Sequence, residues 1–293
     1  MLATIENEFL KLSVKGSGAE MVSIRGITDQ KEYLWQGDPK FWPRRAPVLF
    51  PIVGKLKDHK YRIGGNEYTL PQHGFARNLM FELAGGNQKS LSFLLRSNAE
   101  SLAVFPFSFE LIITYTLEGR RIDISYTVRN LDKSKMYFSI GGHPGFNVAV
   151  NPSESFTDYY LEFEKQETAD RYLLTDGLFD GRKDPVLKNT KQLDLNYDLF
   201  KKDAIVLKNL ESRALSLKSR KSDYHLKFTY DGFPYFGIWS PPGNAPFICL
   251  EPWYGLADKI DFEGEFKNKE GVLSLDPGSE FESKYSVELI SCR

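Results

Sequence analysis

Two histidines and one glutamate carry the features from which proton chemistry could be built. His73 and His143 are each set in glycine and proline at a strand end, in Pro71-Gln-His-Gly-Phe-Ala-Arg-Asn78 and Ile140-Gly-Gly-His-Pro-Gly-Phe-Asn147. Glycine admits close backbone approach and proline fixes a dihedral. A histidine held this way on a loop reads either as a positioned polar group or as a structural one. Glu251 lies near the end of the apolar run Phe247-Ile-Cys-Leu-Glu-Pro-Trp253, where period two puts Phe247, Cys249 and Glu251 on one face. A carboxylate there is partly desolvated, which raises its pKa toward that of a general base working near neutrality. The alternative is an ordinary ion pair with an Arg or Lys. Cys249 has no basic neighbour in sequence and reads as a buried inert thiol. The other histidines read as surface: His59 in the charge run Lys55-Leu-Lys-Asp-His-Lys60, and His225 on the polar side of an alternating strand.

Other chemistries lack their signatures. The chain has no H-E-x-x-H and no paired Cys-x-x-Cys, so no metal site of familiar spacing is expected. It also lacks G-x-S-x-G and a phosphate-cradling glycine loop, which argues against α/β-hydrolase and P-loop chemistry.

The elements that must position these residues read as strands. Over 107–117, Phe107, Phe109, Leu111, Ile113, Tyr115 and Leu117 alternate with polar residues, Ile112 being the exception. A Glu118-Gly119 turn follows, and Ile122, Ile124, Tyr126 and Val128 alternate again, which predicts an antiparallel hairpin. Similar runs at 91–96, 158–164, 225–231 and 281–289 predict half-buried strands of the kind that pack into sandwiches. Gly64-Gly65 and Gly85-Gly86 read as hairpin turns. Helical signals are confined to short turns at 97–104 and 194–202, so a parallel strand-helix-strand architecture fits poorly. Residues 165–203, rich in Asp, Lys, Asn and Gly, read as loop excursions with short strands. Strands continue on both sides, so residues 1–293 are expected to form a single all-β domain.

Composition narrows the partners. The chain is 14% aromatic with a formal net charge of −1. Aromatic rings suit pleated sheets and also stack on sugar faces. No clustered basic footprint suggests nucleic acid, and no run approaches 18 apolar residues, so membrane residence is not expected. The start lacks a secretory pattern, and Cys249 and Cys292 make no disulfide framework; both point to the cytoplasm. A monomer or weak homodimer is expected.

Four motifs in order then carry a resemblance: Pro47-Val-Leu-Phe-Pro-Ile-Val-Gly54, His73-Gly-Phe-Ala-Arg-Asn78, Gly141-Gly-His-Pro-Gly-Phe146 and Leu250-Glu-Pro-Trp253. They resemble the aldose 1-epimerase (galactose mutarotase-like) superfamily, and in particular a bacterial mutarotase-like branch similar to the hexose-6-phosphate mutarotases. The resemblance implies a large antiparallel β-sandwich that interconverts the α and β anomers of a hexose without cofactor or metal. It implies His143 as general acid on the ring oxygen, Glu251 as general base on the anomeric hydroxyl, and His73 as a substrate-binding histidine. Arg45 and Arg77 resemble basic pocket residues of the sugar-phosphate branch. Asp203 aligns with a substrate-binding aspartate, Lys55 stands where galactose mutarotases carry arginine, and Trp239 is expected in the pocket wall. Gly141-Gly142 replaces the Asn-rich approach of the galactose enzymes, which leaves the sugar open. His73, His143 and Glu251 should converge on a concave patch, with room for a pyranose between the last two. The alternatives are a hexose-6-phosphate 1-epimerase and a non-catalytic sugar-binding or regulatory protein on the same fold. In each case the partner is a small-molecule sugar or sugar phosphate.

Overall fold

The computed structural model describes residues 1–290; Cys292 lies outside them. The chain is about 52% strand and 8% helix, and the pairings between the described strands are antiparallel, with parallel bridges only at the isolated contacts Phe50 to Gly74 and Phe179 to Lys259. The predicted hairpin is present as Phe109–Glu118 and Arg121–Asn130, in register Glu118 to Arg121. Phe109, Leu111, Ile113, Tyr115 and Leu117 are buried, as are Ile122, Ile124, Tyr126 and Val128. Each such side chain contributes roughly 1.5–3 kcal/mol relative to exposure, so a slip of one residue would turn the whole apolar row to water.

Among the described residues, 15 strands form one continuous sheet, and a three-stranded sheet is made by Leu2–Glu6, Leu10–Lys15 and Glu20–Gly26. The large sheet curls back on itself. Strand Ile140–Gly142 lies near one end of the hydrogen-bonded order and Arg121–Asn130 near the other. Nevertheless, a Cβ placed on Gly142 would stand 2.9 Å from the Tyr126 hydroxyl. Phe50, after the edge strand Val48–Leu49, packs on Phe109 with ring centroids 5.1 Å apart. Two layers therefore face each other across a phenylalanine-rich core, giving the sandwich.

Two expectations need correction. Residues 165–203 are mostly not loop: Tyr159–Thr175 and Leu178–Asp194 form one long hairpin of 17 residues per strand. Past its alternating start at 159–163, much of it is exposed on both faces and its register shifts repeatedly, so the period-two signal is lost there. Its tip, Asp176-Gly177 with φ of 51° and 78°, is the Asp-Gly pair that a two-residue hairpin turn favours. Gly64-Gly65 does turn a hairpin, whereas Gly85-Gly86 lies within strand Glu82–Gly86 beside a register shift. The short helical segments fall at Ala99–Val104 and, as a 3-10 turn, at Tyr197–Phe200.

Candidate active site

Glu251 sits in the central strand Phe247–Tyr254, opposite Gly237 of strand Tyr235–Trp239. Alternation works as the sequence implies. Ile248 and Leu250 join the main core, while Phe247 and Cys249 turn to a separate aromatic cluster with Trp35. Glu251 continues that second face and is only 1% exposed. No carboxylate-to-Arg or carboxylate-to-Lys ion pair is found for it among the described residues; its close polar neighbour is His143.

His143 follows strand Ile140–Gly142, which hydrogen-bonds to Phe247–Tyr254 on one side and to Val48–Leu49 on the other. The two glycines have a steric role here. A Cβ at position 141 would lie 2.6 Å from the Trp253 ring, and one at 142 would strike the Tyr126 and Tyr285 hydroxyls. Only glycine lets this strand lie so deep, and the His143 amide is then tied to the Pro47 carbonyl at 3.1 Å. The imidazole stacks on Trp42 (centroids 4.8 Å apart) and meets Trp239 edge-on at 5.7 Å. Its Nε2 lies 3.2 Å from Glu251 Oε2. The two groups approach closely without hydrogen-bond alignment, since Oε2 has no hydrogen-bond partner.

His73 reaches the same place from a left-handed turn, with φ of 65° at His73 and 68° at Gly74. A Cβ at Gly74 would stand 2.3 Å from the Phe50 carbonyl oxygen. The His73 amide donates to the Gly54 carbonyl (2.8 Å), and the Gly54 amide donates back to His73 Nδ1 (3.1 Å). Nδ1 therefore acts as acceptor, which leaves the proton of the neutral ring on Nε2, facing the Gln72 side-chain amide at 3.4 Å. The His73 and His143 rings meet edge to face at 5.7 Å.

Burial dominates the electrostatics. It holds His143 down to about 3, with Arg77 and Arg44 acting in the same direction. His73 is likewise lowered by burial first, then by His143 and the same arginines. Burial pushes Glu251 well above the usual carboxylate range, and Asp203 adds to the rise. Each shift disfavours the charged form. Arg77 is lowered to about 10 by burial and Arg44, so it remains a cation at neutral pH.

These side chains line a cleft of about 280 Å³ together with Arg77, Asp203 and Trp239. Of the residues singled out in sequence, His73, His143, Glu251, Arg77, Asp203 and Trp239 come together along this cleft. Arg45 and Lys55 stand outside the lining. The Arg45 guanidinium packs over Gly37, where a Cβ would come within 3.2 Å of Cζ. Lys55 Nζ donates to the Asp176 carbonyl at 2.9 Å, fastening the tip of the long hairpin at the cleft rim, where Gly177 is part of the wall. The spacing between catalytic candidates also differs from expectation. His143 and Glu251 stand 3.2 Å apart, so no pyranose fits between them. Trp42, the stacking partner of His143, was not anticipated. An aromatic pair, Phe41-Trp42, placed in a proline- and arginine-containing loop outside any alternating strand, was the available signal. His59 is exposed, whereas His225 is half-buried and shares a hydrogen bond with Ser216 Oγ at 3.0 Å.

Comparison with known proteins gives a consistent answer. A family model described as aldose 1-epimerase matches residues 1–274. The chain is 37% identical to the chromosomal protein LacX of Lactococcus lactis subsp. lactis, covering 99% of this chain and 100% of that one. A galactose mutarotase related enzyme from Lactobacillus acidophilus superposes with a TM-score of 0.96 at 36% identity, covering 100% and 98% of the two chains. A galactose mutarotase-like protein from Lactobacillus casei gives 0.93 at 35% identity, covering 99% and 100%. Fold and cleft together define a carbohydrate isomerase on a galactose mutarotase-like sandwich. The chain belongs to the aldose 1-epimerase family.

Proposed function

We propose that the protein interconverts the α and β anomers of a hexose by acid–base ring opening, with His143 as acid and Glu251 as base. The contact between His143 Nε2 and Glu251 Oε2 at 3.2 Å, on the floor of an aromatic-walled cleft, supports this reading. The ring oxygen and the anomeric hydroxyl are attached to the same carbon, so two groups this close can address both at once.

The pair works with one proton. Starting from His143 protonated and Glu251 ionised, Glu251 takes the anomeric hydroxyl proton, the C1=O bond forms, and the C1 to ring-oxygen bond breaks. The ring oxygen then receives the His143 proton. The pair ends as neutral imidazole and carboxylic acid, the form burial favours, with its proton count unchanged. Rotation about C1–C2 and closure on the other face reverse both transfers. His73, with its Nε2–H fixed by Gly54, is placed to donate to a sugar oxygen, and Trp42 and Trp239 offer apolar walls to the ring. An anomerisation assay by polarimetry or NMR exchange over neutral aldoses tests the reading; no acceleration with any of them or their 6-phosphates would refute it.

A second reading, that the substrate carries a 6-phosphate, is favoured by Arg77. It lines the cleft, its Nη2 donates to the Gln72 carbonyl, its Nε is buried without a partner, and among the described residues it has no carboxylate within ion-pair distance. A guanidinium so placed suits a phosphate, which it can grip with two hydrogen bonds.

A further inference from the structure

Three groups of the kind that bind transition metals converge where the cleft floor meets the aromatic cluster behind it. The Cys249 sulfur, a Glu251 carboxylate oxygen and a His143 ring nitrogen all lie within 4.8 Å of one another. Local geometry explains the convergence. Cys249 and Glu251 are two apart on one strand and so share a face. Gly145 pairs with Cys249 across the sheet and draws the chain bearing His143 alongside. Cys249 is fully buried and Glu251 is 1% exposed. Glu251 Oε2 is buried without a hydrogen-bond partner, and an unsatisfied buried polar atom is costly, so this oxygen is available as a ligand.

We propose that His143, Cys249 and Glu251 form a Zn²⁺ site through which the metal switches the enzyme off. Zinc accepts nitrogen, sulfur and oxygen donors, and three protein ligands leave a fourth position for an exogenous ligand. The sulfur selects against Mg²⁺ and Ca²⁺, which require oxygen donors. Charge also balances: one thiolate and one carboxylate cancel the metal's two positive charges, and the imidazole ligates as the neutral ring. An electrically neutral complex is what a buried site tolerates. Ligand atoms around zinc lie about 3–4 Å apart, so the trio closes with a movement on the order of 1 Å. Binding forms Zn–S, Zn–N and Zn–O bonds and releases two protons to solvent, one from Cys249 and the one shared by His143 and Glu251. No electron is transferred. Loss of the shared proton and of both lone pairs removes the acid and the base together. The inhibitory part of this inference rests on the catalytic reading above; metal binding does not.

The test uses a Cys292→Ser background, so that Cys249 is the remaining thiol. Co²⁺ added to metal-free protein should produce a thiolate-to-cobalt charge-transfer band that saturates at one ion per chain and is bleached by Zn²⁺. Zn²⁺ should abolish anomerisation and EDTA should restore it. Cys249→Ser and Cys249→Ala should keep the metal-free rate, lose the band, and need about tenfold more Zn²⁺ or above for inhibition. Absence of the band in the parent, or inhibition of both variants at the parent's Zn²⁺ concentration, would overturn the proposal. A band in a protein that accelerates no anomerisation would refute the catalytic reading alone and leave the metal site standing.

Discussion

The acid side of the pH–rate profile is where burial of the catalytic pair should be most visible. The working pair holds one proton, and a second proton on the pair removes the base. With an ordinary imidazole at 6.5, about 97% of the pair would carry that second proton at pH 5, and the rate would fall roughly 30-fold. Burial holds His143 at about 3, so about 1% of the pair carries it at pH 5 and kcat/KM should be nearly unchanged from pH 7. On the alkaline side the last proton leaves Glu251, whose burial moves that limb above the usual carboxylate range. The fold must survive the measurement. Both His73 and His143 are lowered in the folded state, so below 6.5 the unfolded chain binds more protons and stability falls with falling pH. For His143 alone this is about 2 kcal/mol at pH 5, at ~1.4 kcal/mol per decade, and His73 acts in the same direction. The assay is anomerisation by NMR exchange from pH 4.5 to 8, with buffer catalysis subtracted and folding followed by near-ultraviolet circular dichroism. A folded enzyme whose kcat/KM drops tenfold or more between pH 7 and pH 5 would refute the reasoning.

Further outcomes follow from the same geometry. Glu251→Gln and His143→Asn should each lower kcat/KM by about 10²–10⁴-fold, and Glu251→Gln should melt at a higher temperature at pH 8, because the native state no longer holds a desolvated carboxyl against ionisation; calorimetry checks this. Arg77→Met should reduce kcat/KM for glucose 6-phosphate by about 10–150-fold, the equivalent of ~1.5–3 kcal/mol for a charged hydrogen-bonded contact, while leaving glucose within about threefold; equal losses on both sugars would remove the phosphate reading. Gly74→Ala should lose more than about 2 kcal/mol in denaturant unfolding, because the site combines a φ of 68° with a Cβ 2.3 Å from the Phe50 carbonyl oxygen. Trp42→Ala should cost about 1 kcal/mol of the stacking that orients His143, read as a fall in kcat with KM less affected.

The sequence by itself determined the alternating strands, the antiparallel hairpin at 109–130 and the turn toward one face of Phe247, Cys249 and Glu251, because these depend on period-two patterning between near neighbours. It also marked His73 and His143, since glycine and proline announce unusual backbone locally. Of the long hairpin of 159–194 only the alternating start at 158–164 was legible as strand; the rest escaped, because strands exposed on both faces carry no alternation. Tertiary structure alone decided the distances. That His143 and Glu251 touch depends on how deeply a strand with two glycines packs under Trp253 and Tyr126, and residues 108 positions apart encode no such spacing. The same packing set Arg77 into the cleft and kept Arg45 out, made Lys55 a fastening for the hairpin tip, and brought Trp42 over an imidazole about a hundred residues away. Patterning acts between neighbours, whereas the shape of a site is fixed by which side chains the folded layers leave facing one another.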